Sequence, residues 1–445
     1  NMLTRTLRTR FVSPLCSSAR PLKTMAGEGE PPYYCAASKM STKELIKMEN
    51  KYAARNYSPL PVVFSKASGI YAWDPEGKKY MDFLSAYSAV NQGHCHPMIL
   101  EALIEQSQRV TLSSRAFYND MFPRFSKYVN SYFGYDMVLP MNTGAEGVET
   151  AIKLARKWAY MKKGVKDDKA IIVAASDCFH GRTLGVISLS DDPEARDGFG
   201  PFLPNLRKAE FNNVASLEEI FKKEGHRIAG FLVEPIQGEA GVVVPDPGYI
   251  KACKDLCEEY EVLFIADEVQ TGLCRTGKML ASDWEGIRPD LVILGKAISG
   301  GVYPLSCVLA DKDVMLCIGP GQHGSTYGGN PVACAVGIAA LEVLKKENLA
   351  ENAAVRGEEF RAFGEQLMEK CSFLKGVRGR GLLNAFIIDE SDDKAYKLCH
   401  AMKDNGILAK PTHENIIRFA PPLIITKEEL EEGMNIIQDT FTQLK

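Results

Sequence analysis

The sequence predicts an α/β fold, with a large domain whose mainly parallel sheet lies between helices and a smaller α+β domain at the C-terminus. Three observations carry that expectation. From about residue 137, short apolar runs alternate with helical patterns. The runs are apolar throughout instead of alternating, as strands covered on both faces are. After about residue 345 the texture changes to shorter, strand-like stretches and a final amphipathic helix.

The elements follow in order. VLP (138–140) precedes a helix in which Val148, Ala151, Ile152, Ala155 and Ala159 make one apolar face. Then come AIIVAA (170–175), IAGFLV (228–233), VLFIA (262–266), LVIL (291–294) and LSCVLA (305–310), with helices over 216–224 and 248–260 between them. Strand, helix, strand units of this kind build parallel sheets by right-handed crossovers. Residues 377–388 and 407–425 supply short strands of the smaller domain. The last helix opens with a capping box from Thr426 to Glu429 and carries Leu430, Met434, Ile437, Phe441 and Leu444 on one face. The expected organisation is a basic segment and irregular lead-in over 1–41, an N-terminal segment over 42–95, a large domain over 96–344 and a small domain over 345–445.

Composition narrows the function. The 445 residues are 45% apolar and 24% charged, which excludes fibrous and largely disordered classes. Lys and Arg number 53 against 56 Asp and Glu, but the first 27 residues hold five bases, Arg5, Arg8, Arg10, Arg20 and Lys23, and no acid. The remainder therefore has 48 bases against 56 acids, a balance that does not suit a nucleic-acid surface. No apolar run is long enough to cross a bilayer. Residues 1–24 have the composition of an organellar transit peptide, which implies the mitochondrial matrix. A disordered basic tail has the same composition, and Met25 is an alternative start that would leave a cytoplasmic chain. The 12 cysteines are scattered, which fits a reducing compartment. His94-Cys95-His96, and Cys253 with Cys257, lack the second half of a metal site, so no metal is expected.

In open parallel sheets, ligands collect beyond the carboxyl ends of strands. Four such ends are polar here. Asn142-Thr143-Gly144-Ala145-Glu146 suits a phosphate at a helix N-terminus, or a plain helix cap. GPGQHG (319–324) leads into no helix and is not a dinucleotide loop. Asp267 ends VLFIA and needs a cationic or N–H partner, or caps a turn. Lys296 follows LVIL-Gly295 among small residues, where its pKa can fall and its amine can act as a nucleophile. Phe179-His180-Gly181-Arg182 offers an aromatic face for a flat ring and a fork for a carboxylate, with His180 read as a satisfied polar residue. A Schiff-base lysine, a carboxylate for a pyridine nitrogen and a phosphate cradle together fit pyridoxal 5'-phosphate.

MNTGAEGVETAIKLARKW, VEPIQGEAGVVVP, FIADEVQTGLCRTG, LGKAISGG and HGSTYGGNPVACA resemble the class III, or ω-amino acid, branch of the fold-type-I pyridoxal-phosphate aminotransferases. NYSPLPVVF, FLSAYSAVNQGHCHP, TLSSRAFYN, AKPTHENIIRFAPPL and GRTLG are similar, within it, to the ornithine aminotransferases. The resemblance runs from about residue 45 to the C-terminus. It implies Lys296 as the Schiff-base lysine, Asp267 on the pyridine nitrogen, Gly144 and Ala145 at the phosphate, Phe179 over one ring face and Gln270 on the ring hydroxyl. It implies that Ser325 and Thr326 reach the phosphate of a neighbouring subunit, hence a homodimer. Tyr57 and Tyr87 correspond to residues that receive the α-amino acid end of L-ornithine, and Arg182, Glu239 and Arg418 to those that handle carboxylates, including that of 2-oxoglutarate. By the same resemblance Glu239 neutralises Arg418 while ornithine is bound and swings away for 2-oxoglutarate; a fixed structural pair is the alternative. Related 4-aminobutyrate and N-acetylornithine aminotransferases share Lys296, Asp267 and Arg182, and Tyr57 and Tyr87 are the residues expected to discriminate. A catalytically silent scaffold is the reading from another class; it would lack the lysine or an arginine, and all these positions are filled.

Overall fold

The structure is a computed structural model that describes residues 40–389 and 393–444. The basic segment 1–24, Met25 and most of the lead-in lie outside the described residues. Residues 56–445 form one compact unit; the helix Thr42–Tyr52, opened by a Ser41–Glu44 capping box, belongs to a second unit that ends at Arg55.

Three short strands, β1 (Lys66–Ser68), β2 (Tyr71–Trp73) and β3 (Lys79–Asp82), make an antiparallel meander. Seven strands follow: β4 (Met137–Met141), β5 (Ile171–Ala175), β6 (Leu206–Ala209), β7 (Ile228–Val233), β8 (Leu263–Asp267), β9 (Leu291–Leu294) and β10 (Ser306–Ala310). They form the central sheet in the order β4-β10-β9-β8-β7-β5-β6. The five strands from β9 to β6 are parallel, and β10 runs antiparallel to both β9 and β4. Sequence analysis anticipates every strand of this sheet except β6. Its LRKA is polar because β6 is an edge strand with one neighbour.

Strands β5, β7, β8, β9 and β10 are buried at every position. Alternation along them feeds two cores. Ile172 and Ala174 pack with Val148, Ala151, Ile152 and Ala155 of the helix Gly144–Trp158. Ile171, Val173 and Ala175 pack with Leu217 and Phe221 of the helix Val214–Glu224 and Cys253 and Cys257 of the helix Tyr249–Glu259. Those two cysteines are thus core side chains. His94 and His96 go to separate carboxylates, Asp82 at 2.7 Å and Glu347 at 2.9 Å.

The later strands are β11 (Leu374–Arg380), β12 (Leu383–Ile388), β13 (Ile407–Leu408), β14 (Lys410–Thr412) and β15 (Ile416–Phe419). Four of them form a sheet in the order β11-β12-β15-β14, while β13 joins β3 in parallel. Segments from near both chain ends therefore share a sheet. The terminal helix Lys427–Gln443 has the anticipated Thr426–Glu429 capping box and buries Leu430, Ile437 and Phe441. Arg275, fully buried, donates to the carbonyls of Leu382 and Pro421 at 2.9 and 2.7 Å and to Asn91 Oδ1 at 2.6 Å, tying the large domain to the C-terminal strands.

After β3, four consecutive residues, Ser85 to Ser88, have positive φ and make a left-handed turn although none is glycine. Such a conformation costs about 1–2 kcal/mol per residue. Asp82 holds the turn by accepting the N–H groups of Leu84 and Ser85 at 2.8 and 2.9 Å. Ala86 is exposed, with φ 47° and ψ 48°. Ala86→Gly should relieve more strain than the freer unfolded chain costs, raising stability by about 0.5–1 kcal/mol. Urea unfolding checks this, and a lowered midpoint would contradict it.

Candidate active site

Asp267, the last residue of β8, and Glu268 point in opposite directions, as neighbours leaving a strand do. Glu268 turns inward and accepts the N–H groups of Ala281 and Ser282 at 3.0 and 2.8 Å, which anchors the loop that follows. Asp267 faces the sheet edge. Its Oδ2 accepts from His180 Nδ1 at 2.7 Å and its Oδ1 from the Val269 N–H at 3.1 Å. The Asp267 side chain is 5% exposed and that of His180 0%.

Lys296 stands on the adjacent strand end, one residue beyond Gly295, with φ at +45°. A non-glycine residue held there stores backbone strain of about 1–3 kcal/mol, a mark of functional positions. Among the described residues its amine takes no hydrogen bond. Burial pulls its pKa below the ordinary lysine value and the Arg418 charge adds to that, while Glu239, Asp267 and Glu234 oppose them. The amine is easier to deprotonate than a surface lysine, as a nucleophile and proton carrier must be.

The end of β5 supplies Phe179, His180 and Arg182. Glu234, just beyond β7, is buried and accepts the N–H groups of Phe179 at 2.9 Å and Gly238 at 3.2 Å. One carboxylate thus ties the loop bearing the aromatic face to the loop bearing Glu239. Burial pushes its pKa up to about 7. Arg182 lies outward, 58% exposed, 5.4 Å from the centre of the Phe179 ring and 3.6 Å from Asp192.

Glu239, Gln270, Arg418 and Tyr87 converge from four elements. Arg418, on β15, donates to Glu239 from both terminal nitrogens, Nη1 at 2.8 Å and Nη2 at 3.3 Å. Gln270 Nε2 donates to the same carboxylate at 3.1 Å. The Arg418 guanidinium lies 4.8 Å from the centre of the Tyr87 ring, which the left-handed turn presents. Although burial opposes it, Arg418 holds the Glu239 pKa down to about 2, so the pair stays ionised across the physiological range. Two contacts from the C-terminal part of the chain fix the backbone beneath: His413 Nε2 meets the Glu239 carbonyl at 3.1 Å, and Arg378 Nε donates to the Gly241 carbonyl at 2.9 Å.

At the end of β4, Thr143 caps the helix Gly144–Trp158 through a capping box with Glu146. The box uses the N–H groups of Glu146 and Thr143, and Glu146 also takes that of Asn142. The first-turn N–H groups of Gly144 and Ala145 are left for an anion, which the helix dipole favours. Ser325 sits beside this turn, accepting from Asn142 Nδ2 at 2.8 Å and from the N–H of Gly328 at 3.1 Å. Thr326 and Tyr57 are exposed, and among the described residues neither makes a hydrogen bond or ring contact with the others named here.

A family model, Aminotransferase class-III, matches residues 52–441. The chain is a class-III aminotransferase. It is 58% identical over 410 residues to the mitochondrial ornithine aminotransferase of Oryza sativa subsp. japonica, a match that covers 91% of this chain and 87% of that one. An ornithine aminotransferase structure from Toxoplasma gondii, in which PLP partly occupies the active site, matches at TM-score 0.88 and 44% identity, covering 90% of this chain and 94% of that one. An acetylornithine aminotransferase structure from Elizabethkingia anophelis matches at TM-score 0.84 and 50% identity, covering 91% of this chain and all of that one. The family is pyridoxal-phosphate-dependent.

The residues fit that cofactor. An amine and two helix N–H groups without a hydrogen-bond partner among the described residues, and a carboxylate with acceptor capacity left, stand at strand ends of one sheet. One residue of this site, Glu234 in VEPIQGEAGVVVP, has no signal of its own in the sequence, because only the fold buries it and brings it the N–H groups of Phe179 and Gly238. Because burial lowers the Lys296 pKa, the rate at which the apo form takes up pyridoxal phosphate should reach half its maximum below pH 10.5. Stopped-flow absorbance across pH measures this; a midpoint at or above 10.5 would contradict it.

Proposed function

We propose that this chain is an ornithine δ-aminotransferase, which moves the δ-amino group of L-ornithine to 2-oxoglutarate and releases L-glutamate 5-semialdehyde and L-glutamate in two half-reactions. The observation that carries the reading is the ionised Glu239–Arg418 pair beside Lys296 and Asp267. Bound here, pyridoxal phosphate supplies a carbonyl carbon that amines join and a protonated ring that accepts an electron pair from a breaking C–H bond. Lys296 holds the cofactor and its Nζ accepts the proton that leaves the δ-carbon of ornithine. Asp267 offsets positive charge on the ring nitrogen, Phe179 covers the ring, Gln270 meets its hydroxyl, and Gly144 and Ala145 receive the phosphate.

One pocket must admit two unlike substrates. Ornithine brings a neutral methylene beside its reacting amine, and a bare buried Arg418 would then be costly. 2-Oxoglutarate brings a carboxylate to the same place and needs that arginine. The two partners differ in freedom. The Arg418 side chain is 3% exposed, on a strand and against Tyr87, while that of Glu239 is 28% exposed on a loop. Glu239 is therefore the partner that leaves, and Arg418 the fixed receptor. Arg182 holds the distal carboxylate, and Tyr57 and Tyr87 receive the α-amino acid end of ornithine.

A homodimer completes the site. Tyr57, Phe117, Tyr118 and Tyr327 are 75%, 75%, 96% and 53% exposed, an unusual display of large aromatics. A second copy covers such a surface and brings Ser325 and Thr326 to its neighbour's phosphate. The N-terminal segment serves as address to the mitochondrial matrix, in keeping with the mitochondrial relative from rice. N-acetylornithine is the second candidate donor, favoured by the 50% identity to the Elizabethkingia enzyme. Purified protein given ornithine and 2-oxoglutarate should form the semialdehyde, which cyclises and is trapped with an aminobenzaldehyde; turnover with N-acetylornithine but not ornithine would overturn the assignment. Glu239→Ala should raise the rate of the glutamate half-reaction about tenfold relative to that of ornithine, since about 1.4 kcal/mol of ion pairing need no longer be broken. An unchanged ratio would mean a fixed structural pair.

A further inference from the structure

We infer that His180 is a positioning residue for Asp267, holding that carboxylate in the one orientation that leaves its Oδ1 open to the cofactor's ring nitrogen. The inference rests on the cofactor reading above. Among the described residues, His180 is the only side chain that bonds Asp267, at 2.7 Å, and the one other donor is the Val269 N–H at 3.1 Å. A carboxylate offers about four lone-pair sites, so capacity remains for a ring N–H. Without His180 the carboxyl group would be free to turn about its last bond.

The other side of the imidazole shows what the residue is kept for. His180 Nε2 is buried without a hydrogen-bond partner among the described residues. A buried polar atom left unpaired is destabilising, and a histidine serving only to fill space or satisfy a loop would be expected to use both nitrogens. Besides the Cys178 thiol beside it, the ring has one strong partner, the Asp267 carboxylate. Its backbone is pinned on each side. The Phe179 N–H is held by Glu234 at 2.9 Å. Gly181, at φ +126°, lies so close to Ala145 that an added Cβ would come within 2.6 Å of the Ala145 Cβ. The ring therefore cannot follow a drifting carboxylate; the carboxylate must conform to the ring. The ionisable groups around it are Cys178, Glu234, Asp267 and, beyond them, Lys296 and Glu239. Burial opposes a charge on His180, yet Cys178 and Asp267 hold its pKa well above the usual imidazole value.

Three variants separate this role from mere packing. Asn in place of His180 puts an amide nitrogen near Nδ1, Gln puts one near Nε2, and Leu supplies none. Apo protein of each is titrated with pyridoxal phosphate to give a dissociation constant, and the absorption band of the bound cofactor is followed against pH. His180→Leu and His180→Gln should bind the cofactor about tenfold more weakly, move the pH midpoint of the band, and lower kcat with KM for ornithine unchanged. His180→Asn should recover most of the affinity and the wild-type midpoint. Should His180→Leu not fold, the contrast between Asn and Gln decides alone. Equal behaviour of those two, or wild-type affinity and midpoint in Leu, would overturn the role. Failure of the wild-type apo protein to take up pyridoxal phosphate would instead overturn the cofactor reading, and this one with it.

Discussion

A sheet with no wet face dictates where charge can stand in this protein. Strands β5, β7, β8 and β9 are apolar on both sides because helices cover both sides. Polar groups are admitted only where a strand ends, and the parallel strands end along one edge. Glu234, Asp267 and Lys296 stand at the ends of three neighbouring strands, with Phe179 and His180 after a fourth. Each ionisable group there is partly stripped of water, and that cost has to be met by a specific partner. Asp267 has His180, Glu234 has two N–H groups, and Arg418 has Glu239. Among the described residues the Lys296 amine has no hydrogen-bond partner, which suits the reactive role proposed for it.

The same edge divides into a deeply buried part and a more exposed one. Arg418 is fixed by its strand, by Tyr87 and by the Gly238 carbonyl at 3.3 Å. The loop carrying Glu239 is fastened at Gly238, Glu239 and Gly241 through backbone atoms alone, by Glu234, His413 and Arg378. The Glu239 side chain is held by Arg418 and Gln270 and is 28% exposed. Backbone strain is among the features of this edge, at Lys296 and in the turn 85–88 that presents Tyr87. On the proposed function, a pocket for two substrates needs only one mobile carboxylate on this frame.

How much of this is legible in the sequence depends on the range of the physics involved. Strands buried on both faces are apolar at every position, so IAGFLV and LVIL announce themselves with the bounds they have in the structure. The Thr426–Glu429 box spans four residues and is equally plain. Lys296 and Asp267 stand out because a charge directly after an apolar run is costly without a purpose. By contrast, nothing in LRKA marks the edge strand β6, and LSCVLA reads the same whichever way β10 runs.

The sequence by itself determined the class of fold, six of the seven strands of the central sheet with three of the helices beside them, and the chemical types available at the strand ends, because local periodicity and single buried charges are properties of short segments. Tertiary structure alone decided which of those groups meet. His180 and Asp267 are 87 residues apart, Glu239 and Arg418 179. The left-handed turn of SAYS, with no glycine to signal it, exists only because Asp82 and the packing around it hold it there. Pairing of buried charge is set by distance in space, and the order of residues along the chain does not contain that distance.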